Sequence, residues 1–155
     1  MKTFLSLLLV IFTFLGILDA GYITYEKLNG IVPPCNPYFK CGDVLNSSWA
    51  SVGPIPLSAL GVLFYSLFFV MSVLYYFGKK EVQLFNFNMR IETFLALQGI
   101  FGAAFSLYLL FIMGVILKAW CLYCLLSAMI CIILFMVSST VYLVAKKEKY
   151  NEKRL

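Results

Sequence analysis

Residues 119–145 read AWCLYCLLSAMICIILFMVSSTVYLVA. No charge interrupts them, and they exceed the roughly 20 residues a helix needs to cross the hydrocarbon of a bilayer. Backbone in lipid has no water to bond, so such a stretch satisfies its own N–H and C=O groups as a helix. Three more stretches are predominantly apolar and also reach that length, at 3–25, 55–77 and 91–117, with Asp19 and Glu92 as their charged residues. The chain is therefore read as an all-α integral membrane protein. It forms a single four-helix bundle over residues 1–155, with a long loop at 28–54 and a basic tail at 146–155.

Composition supports the same class. The chain is 63% hydrophobic and 12% charged, with a mean hydropathy of +0.94, against roughly 45 to 50% apolar and about 25% charged in ordinary soluble domains. The first stretch follows Lys2 and could be taken for a secretory signal. Its apolar core outruns the roughly 7 to 15 residues of such a signal and lacks an A-x-A cleavage site, so it is read as a retained helix.

Four spans divide the basic residues by side. Lys2, Lys79, Lys80, Arg90, Lys146, Lys147, Lys149, Lys153 and Arg154 share one face, nine in all, and Lys27, Lys40 and Lys118 hold the other. Short loops rich in Lys and Arg stay in the cytoplasm. Both termini are thus expected inside and the 28–54 loop outside. Cys35, Cys41, Cys121 and Cys124 then face the extracytoplasmic side of a multi-pass cell-membrane protein, where disulfides persist.

The cysteines carry the chemistry. In Cys121-Leu-Tyr-Cys124 the two thiols fall at i and i+3, on one face of a helix. The first lies near the helix start, where free amides and the dipole favour a thiolate, so Cys121 is expected to be the better nucleophile toward protein partners. Cys124 sits about one turn, or 5 Å, deeper, within reach of an apolar oxidant in the membrane. Cys35 and Cys41 bracket a proline-containing loop segment without regular structure. This second dithiol suits exchange with a soluble thioredoxin-like protein and then with Cys121. The same residues also suit two static staples, as in a structural membrane subunit with stapled loops. Cys131, two turns beyond Cys124, is read as buried packing.

The run Cys41-Gly-Asp-Val-Leu-Asn-Ser-Ser-Trp49, then Pro54-Ile-Pro-Leu-Ser58 with Gly61 and Tyr65, resembles the loop and second helix of the vitamin K epoxide reductase family. The C-x-x-C at the head of the last helix completes the resemblance, which covers essentially the whole chain. It implies a bundle around a pocket for a membrane quinone of the menaquinone, ubiquinone or vitamin K type. By motif, Cys121 and Cys124 resemble the active-site pair, and Cys124, Ser58 and Tyr65 the quinone contacts. Cys35 resembles the shuttle cysteine that engages the partner, and Cys41 the one that relays to Cys121. The function implied is a quinone-dependent thiol-disulfide oxidoreductase that oxidises a thioredoxin-like partner in support of disulfide formation. The alternative direction is thiol-driven reduction of a quinone or of vitamin K epoxide.

Two departures matter. Animal members place a tyrosine four residues after the second active-site cysteine, where this chain has Ala128, which disfavours the epoxide as substrate. Some microbial members carry a fused thioredoxin-like domain, whereas this sequence ends soon after the fourth span, so the thiol partner is expected to be a separate protein.

Other features have plainer readings. Asp19 is an intramembrane carboxylate, a functional candidate by default, but so near the helix end it is expected to meet water or headgroups. Trp49 and Trp120 are expected as interfacial anchors, with Trp49 also placed to cap the pocket. Gly99 and Gly102 are expected to allow close helix packing. Asn46-Ser-Ser48 matches a glycosylation acceptor. The chain has no histidine, which excludes Ser-His and Cys-His catalysis. A thiolate metal site is disfavoured by the five residues between Cys35 and Cys41, wider than the usual spacing of about two to four. The basic tail directly follows a span and reads as a cytoplasmic anchor, not a nucleic-acid patch.

Overall fold

A computed structural model of the chain describes residues 2–79, 81–84, 87–152 and 154. Lys80 and Lys153, counted above among the basic residues, lie outside that set. Four long helices build the molecule: α1 (Lys2–Leu28), α3 (Leu57–Tyr76), α4 (Ile91–Phe111) and α5 (Leu122–Glu152). Each is long and apolar enough to cross a membrane, α4 together with the π-helical turn Ile112–Leu117 that continues it.

The facing of α1 follows from its spacing. Leu9, Thr13, Gly16, Ala20 and Ile23 are buried, whereas Phe4, Leu7, Ile11, Phe14 and Leu18 are exposed. Steps of three and four residues keep each set on its own side of the helix, so one stripe meets the bundle and the other is left for lipid. Buried hydroxyls inside the spans bond back to their own helices: Thr13 Oγ1 to Leu9 O at 2.7 Å and Ser72 Oγ to Phe68 O at 2.8 Å. Such pairing removes most of the cost of placing a polar group in an apolar interior. The core runs through Leu9, Tyr65, Phe68, Leu95, Leu134 and Val141. In it, α1 packs closely on α3 and α5, and α4 on α5.

Small residues set the closest approaches. A Cβ on Gly99 would lie 2.5 Å from Ser138 Oγ and 3.1 Å from Phe135 Cα, and one on Gly102 would lie 2.6 Å from the Phe64 ring. Both glycines therefore serve packing.

Helix limits differ from the sequence reading where backbone chemistry intervenes. α1 continues to Leu28. Residues 55–56 are not helical: Ile55 and Pro56 form strand β2, paired with β1 (Ser51–Val52), and Pro56 then caps α3 with extended geometry (φ −66°, ψ 140°), its φ fixed by the ring. The last helix begins at Leu122 and not at 119. The stretch read as a tail stays helical to Glu152. Between α3 and α4, strands β3 (Glu81–Leu84) and β4 (Phe87–Arg90) form an antiparallel hairpin.

The loop at 28–54 also carries more order than its prolines imply. It holds a short helix, α2 (Cys41–Leu45), and a 3₁₀ turn at Ser48–Ala50. Cys41 and Val44 are buried beneath it, and Lys27 Nζ donates to Leu45 O at 2.6 Å and to Asn46 Oδ1 at 3.1 Å. Apolar anchoring and a cationic clip thus order a segment whose sequence alone reads as irregular.

Candidate active site

The site is assembled where α4 ends. Lys118 adopts the left-handed conformation (φ 48°, ψ 35°), and Met113 O accepts hydrogen bonds from the backbone N–H groups of both Lys118 and Ala119. A positive φ outside glycine is uncommon and here closes the π turn sharply. Only 118–121 separate the two helices, so Cys121 arrives directly at the head of α5.

Cys121 lies one position outside α5, as its N-cap. Its carbonyl accepts from Leu125 N–H at 3.0 Å, and its Sγ accepts from Cys124 N–H at 3.4 Å. Serine and threonine caps use their hydroxyls in the same way. The thiol group of Cys124, followed by backbone amides of the first turn, holds the Cys121 thiol below its ordinary value against the opposing effect of burial. A sulfur so placed is stabilised as a thiolate by helix-terminal donors.

The loop dithiol is docked on this turn. Cys35 and Cys41 form a disulfide with Cα atoms 6.2 Å apart. Lys40 N–H donates to Trp120 O at 2.9 Å, and Tyr123 Oη donates to Pro34 O at 3.1 Å. The disulfide loop is therefore held at both ends by residues flanking Cys121. Cys41 and Cys121 are fully buried in one apolar cluster with Val44, Met113 and Ala119, and Cys35 and Cys124 pack against it.

Cys124 faces the other way, into a cavity of about 310 Å³ enclosed mainly by apolar side chains of α1, α3, α4 and α5. This lies at the lower end of the range of roughly 300 to 1,000 Å³ for small-molecule sites. Ser58 and Tyr65 line it with Cys124, as do Trp49 and Cys131, while Cys121 does not. The Tyr65 hydroxyl lies 2.8 Å from Ser127 Oγ and 3.2 Å from Cys131 Sγ, and donates to Ser127 O at 3.0 Å.

A model of the vitamin K epoxide reductase family matches residues 7–139. The thiol-disulfide oxidoreductase LTO1 of Arabidopsis thaliana is 35% identical over 124 residues, covering 78% of this chain and 32% of that protein. The chain belongs to the vitamin K epoxide reductase family. It spans about a third of the length of this curated relative.

Within this family frame, Ala128 lines the cavity where animal members place a tyrosine. The phenol near that point comes from α3 instead, since Tyr65 bonds the neighbouring Ser127. Cys131 is buried, in keeping with packing, yet it also borders the cavity and contacts the Tyr65 hydroxyl. The polar group of Tyr65, Ser127 and Cys131 was not visible from spacing, although a tyrosine within an apolar span signals a hydroxyl in need of a partner. Asp19 departs from expectation. It does not meet water freely: it is only 9% exposed, and its Oδ2 is buried without a hydrogen-bond partner. Trp49 and Trp120 are each 45% exposed.

Proposed function

We propose that this chain is a membrane thiol-disulfide oxidoreductase coupling oxidation of a thioredoxin-like protein to reduction of a quinone, and so supporting disulfide formation. The observation that carries this reading is the burial of Cys41 and Cys121 in one cluster while Cys124 lines the cavity. The route has two exchanges. The thiolate of a reduced partner attacks Cys35, and after resolution the partner leaves oxidised and the loop carries two thiols. Cys41 then attacks Cys121 in a Cys121–Cys124 disulfide, Cys124 leaves as thiolate, and Cys35 resolves the mixed disulfide at Cys41. Each exchange conserves one disulfide and moves two electrons inward.

The quinone is the electron-accepting substrate and supplies the two-electron oxidation that closes Cys121–Cys124 again. The cavity suits it in size and in its mainly apolar wall, with the sulfur of Cys124 and the hydroxyls of Ser58 and Tyr65 among the few polar groups, which also include Lys27, Ser106 and Ser127. The lysine and arginine distribution supports placing both termini in the cytoplasm and the four cysteines outside. Quinones are reoxidised in a respiring membrane, which favours the oxidative direction, each 30 mV of potential difference being worth roughly 1.4 kcal/mol.

Cysteine variants test the order of transfer. Cys41→Ser is expected to strand the thiol partner on Cys35 as a mixed disulfide, visible by non-reducing gel and mass spectrometry. Cys124→Ser is expected to abolish quinone reduction in membranes. Failure to trap a partner, together with intact quinone turnover by Cys124→Ser, would remove the assignment.

A further inference from the structure

The electron route leaves a proton unplaced. When Cys124 is released from its disulfide it becomes a thiolate beside an apolar cavity, and once it has been protonated that S–H proton must depart when the pair is oxidised again. An unpaired charge is costly there, and the chain offers no histidine to accept it.

Asp19 occupies the right place on α1. Gly16, Asp19, Ala20 and Ile23 follow one another at helical steps of three, one and three, and so share a face. Gly16 meets the Tyr65 ring, which a Cβ there would overlap at 2.5 Å, and Ala20 and Ile23 line the cavity. Tyr22, one turn beyond Asp19, packs its ring on Tyr123 of the C-L-Y-C turn, with centroids 5.6 Å apart. The Asp19 carboxyl is buried on this face of α1, between the turns that carry these contacts. It interacts electrostatically with Cys121, Cys124 and Tyr65. Its Oδ2 has no hydrogen-bond partner, which leaves an acceptor free.

Resting on the functional reading above, we infer that Asp19 is the proton acceptor and donor for Cys124. In the reduced state the carboxylate takes the proton of Cys124 as that sulfur reacts. The Cys124 S–H bond breaks, an S–S bond forms with the Cys121 thiolate, two electrons pass to the quinone and two O–H bonds form. Asp19 hands the Cys124 proton to one quinone oxygen, a proton from the aqueous phase supplies the other, and the residue is a carboxylate before and after. In the preceding exchange a protonated Asp19 neutralises Cys124 as it leaves, taking its own proton from the aqueous phase beforehand.

The test uses the full chain in membranes with a short-chain quinone, comparing the parent, Asp19→Asn, Asp19→Glu and Glu26→Gln. Glu26 lies two turns along α1 and also has a buried oxygen without a partner. The other titratable groups facing this region are Tyr22 and Lys27 on α1, Tyr65 on α3, and Cys121, Tyr123, Cys124 and Cys131 at or along α5. Asp19→Asn is expected to lower quinone reduction on the order of 10²-fold, the scale of general acid–base assistance. It should also flatten the acid limb of the pH profile, which rises with pH in the parent because the carboxylate is the active form. Asp19→Glu should keep that limb with a displaced midpoint, and Glu26→Gln should match the parent.

A second readout needs no quinone. Alkylation of Cys124 in the reduced protein by N-ethylmaleimide, followed by mass spectrometry, should slow about tenfold at neutral pH in Asp19→Asn if the carboxylate acts as base. If the residue contributes only negative charge, its removal will leave the rate unchanged or raise it, and the inference is overturned. Should Asp19→Asn fail to accumulate, Asp19→Glu decides alone: a displaced midpoint supports the assignment and an unchanged one refutes it. A parent without quinone-dependent dithiol oxidation would instead defeat the functional reading. An active parent matched by Asp19→Asn in rate and profile defeats only the role of Asp19.

Discussion

At the scale of the residue, position on the helix separates two chemically identical thiols. Cys121 precedes α5 and receives the Cys124 amide, whereas Cys124 lies within the first turn and borders the cavity. One sulfur is thereby placed against the loop dithiol and the other against the cavity. The Tyr65 hydroxyl has a similar positional role, because its contacts to Ser127 and Cys131 put a polar group into a mainly apolar wall. Tyr65→Phe keeps the ring against Gly16 and removes only the hydroxyl. Loss of one net hydrogen bond, worth about 0.5 to 1.5 kcal/mol, predicts a quinone KM raised roughly 2- to 10-fold with the fold retained. Steady-state kinetics with the short-chain quinone measures it.

Among elements, the α4–α5 contact is set by the absence of a side chain. The Cβ of any residue replacing Gly99 would meet both a side-chain oxygen and the Phe135 backbone, and the latter has no rotamer by which to yield. Gly99→Val is therefore expected to destabilise the protein by about 1 to 3 kcal/mol, the usual range for overpacking. Thermal unfolding in detergent should report a lowered midpoint. The π turn at Ile112–Leu117 and the left-handed Lys118 belong to the same scale. No apolar pattern marks them, because 91–117 reads as one uninterrupted hydrophobic stretch. Their hydrogen bonds nevertheless decide where Cys121 emerges.

For the whole molecule, the organising quantity is charge across the bilayer. Nine basic residues against three favour one orientation, and that orientation places the disulfide loop outside. With disulfides first reduced, a membrane-impermeant maleimide added to intact cells should modify Cys35. An Arg154→Cys variant should stay unlabelled at its new thiol until the membrane is opened. Labelling in the opposite order would reverse the topology and place the loop disulfide in a reducing compartment.

The amino-acid sequence by itself determined the membrane class and the number of helices long enough to span, because hydropathy sums locally along the chain and needs no partner. It also carried the family resemblance, since Cys41 to Trp49, Pro54 to Ser58 and the C-x-x-C are contiguous motifs. Tertiary structure alone decided which groups meet. The clip from Lys40 to Trp120, the shared burial of Cys41 and Cys121, the approach of Tyr65 to Ser127, and the enclosure of Asp19 join residues far apart in sequence. Such contacts depend on how each helix is rotated and where each turn ends. Those angles are set by the combined packing of all four helices, and no single stretch of sequence contains them.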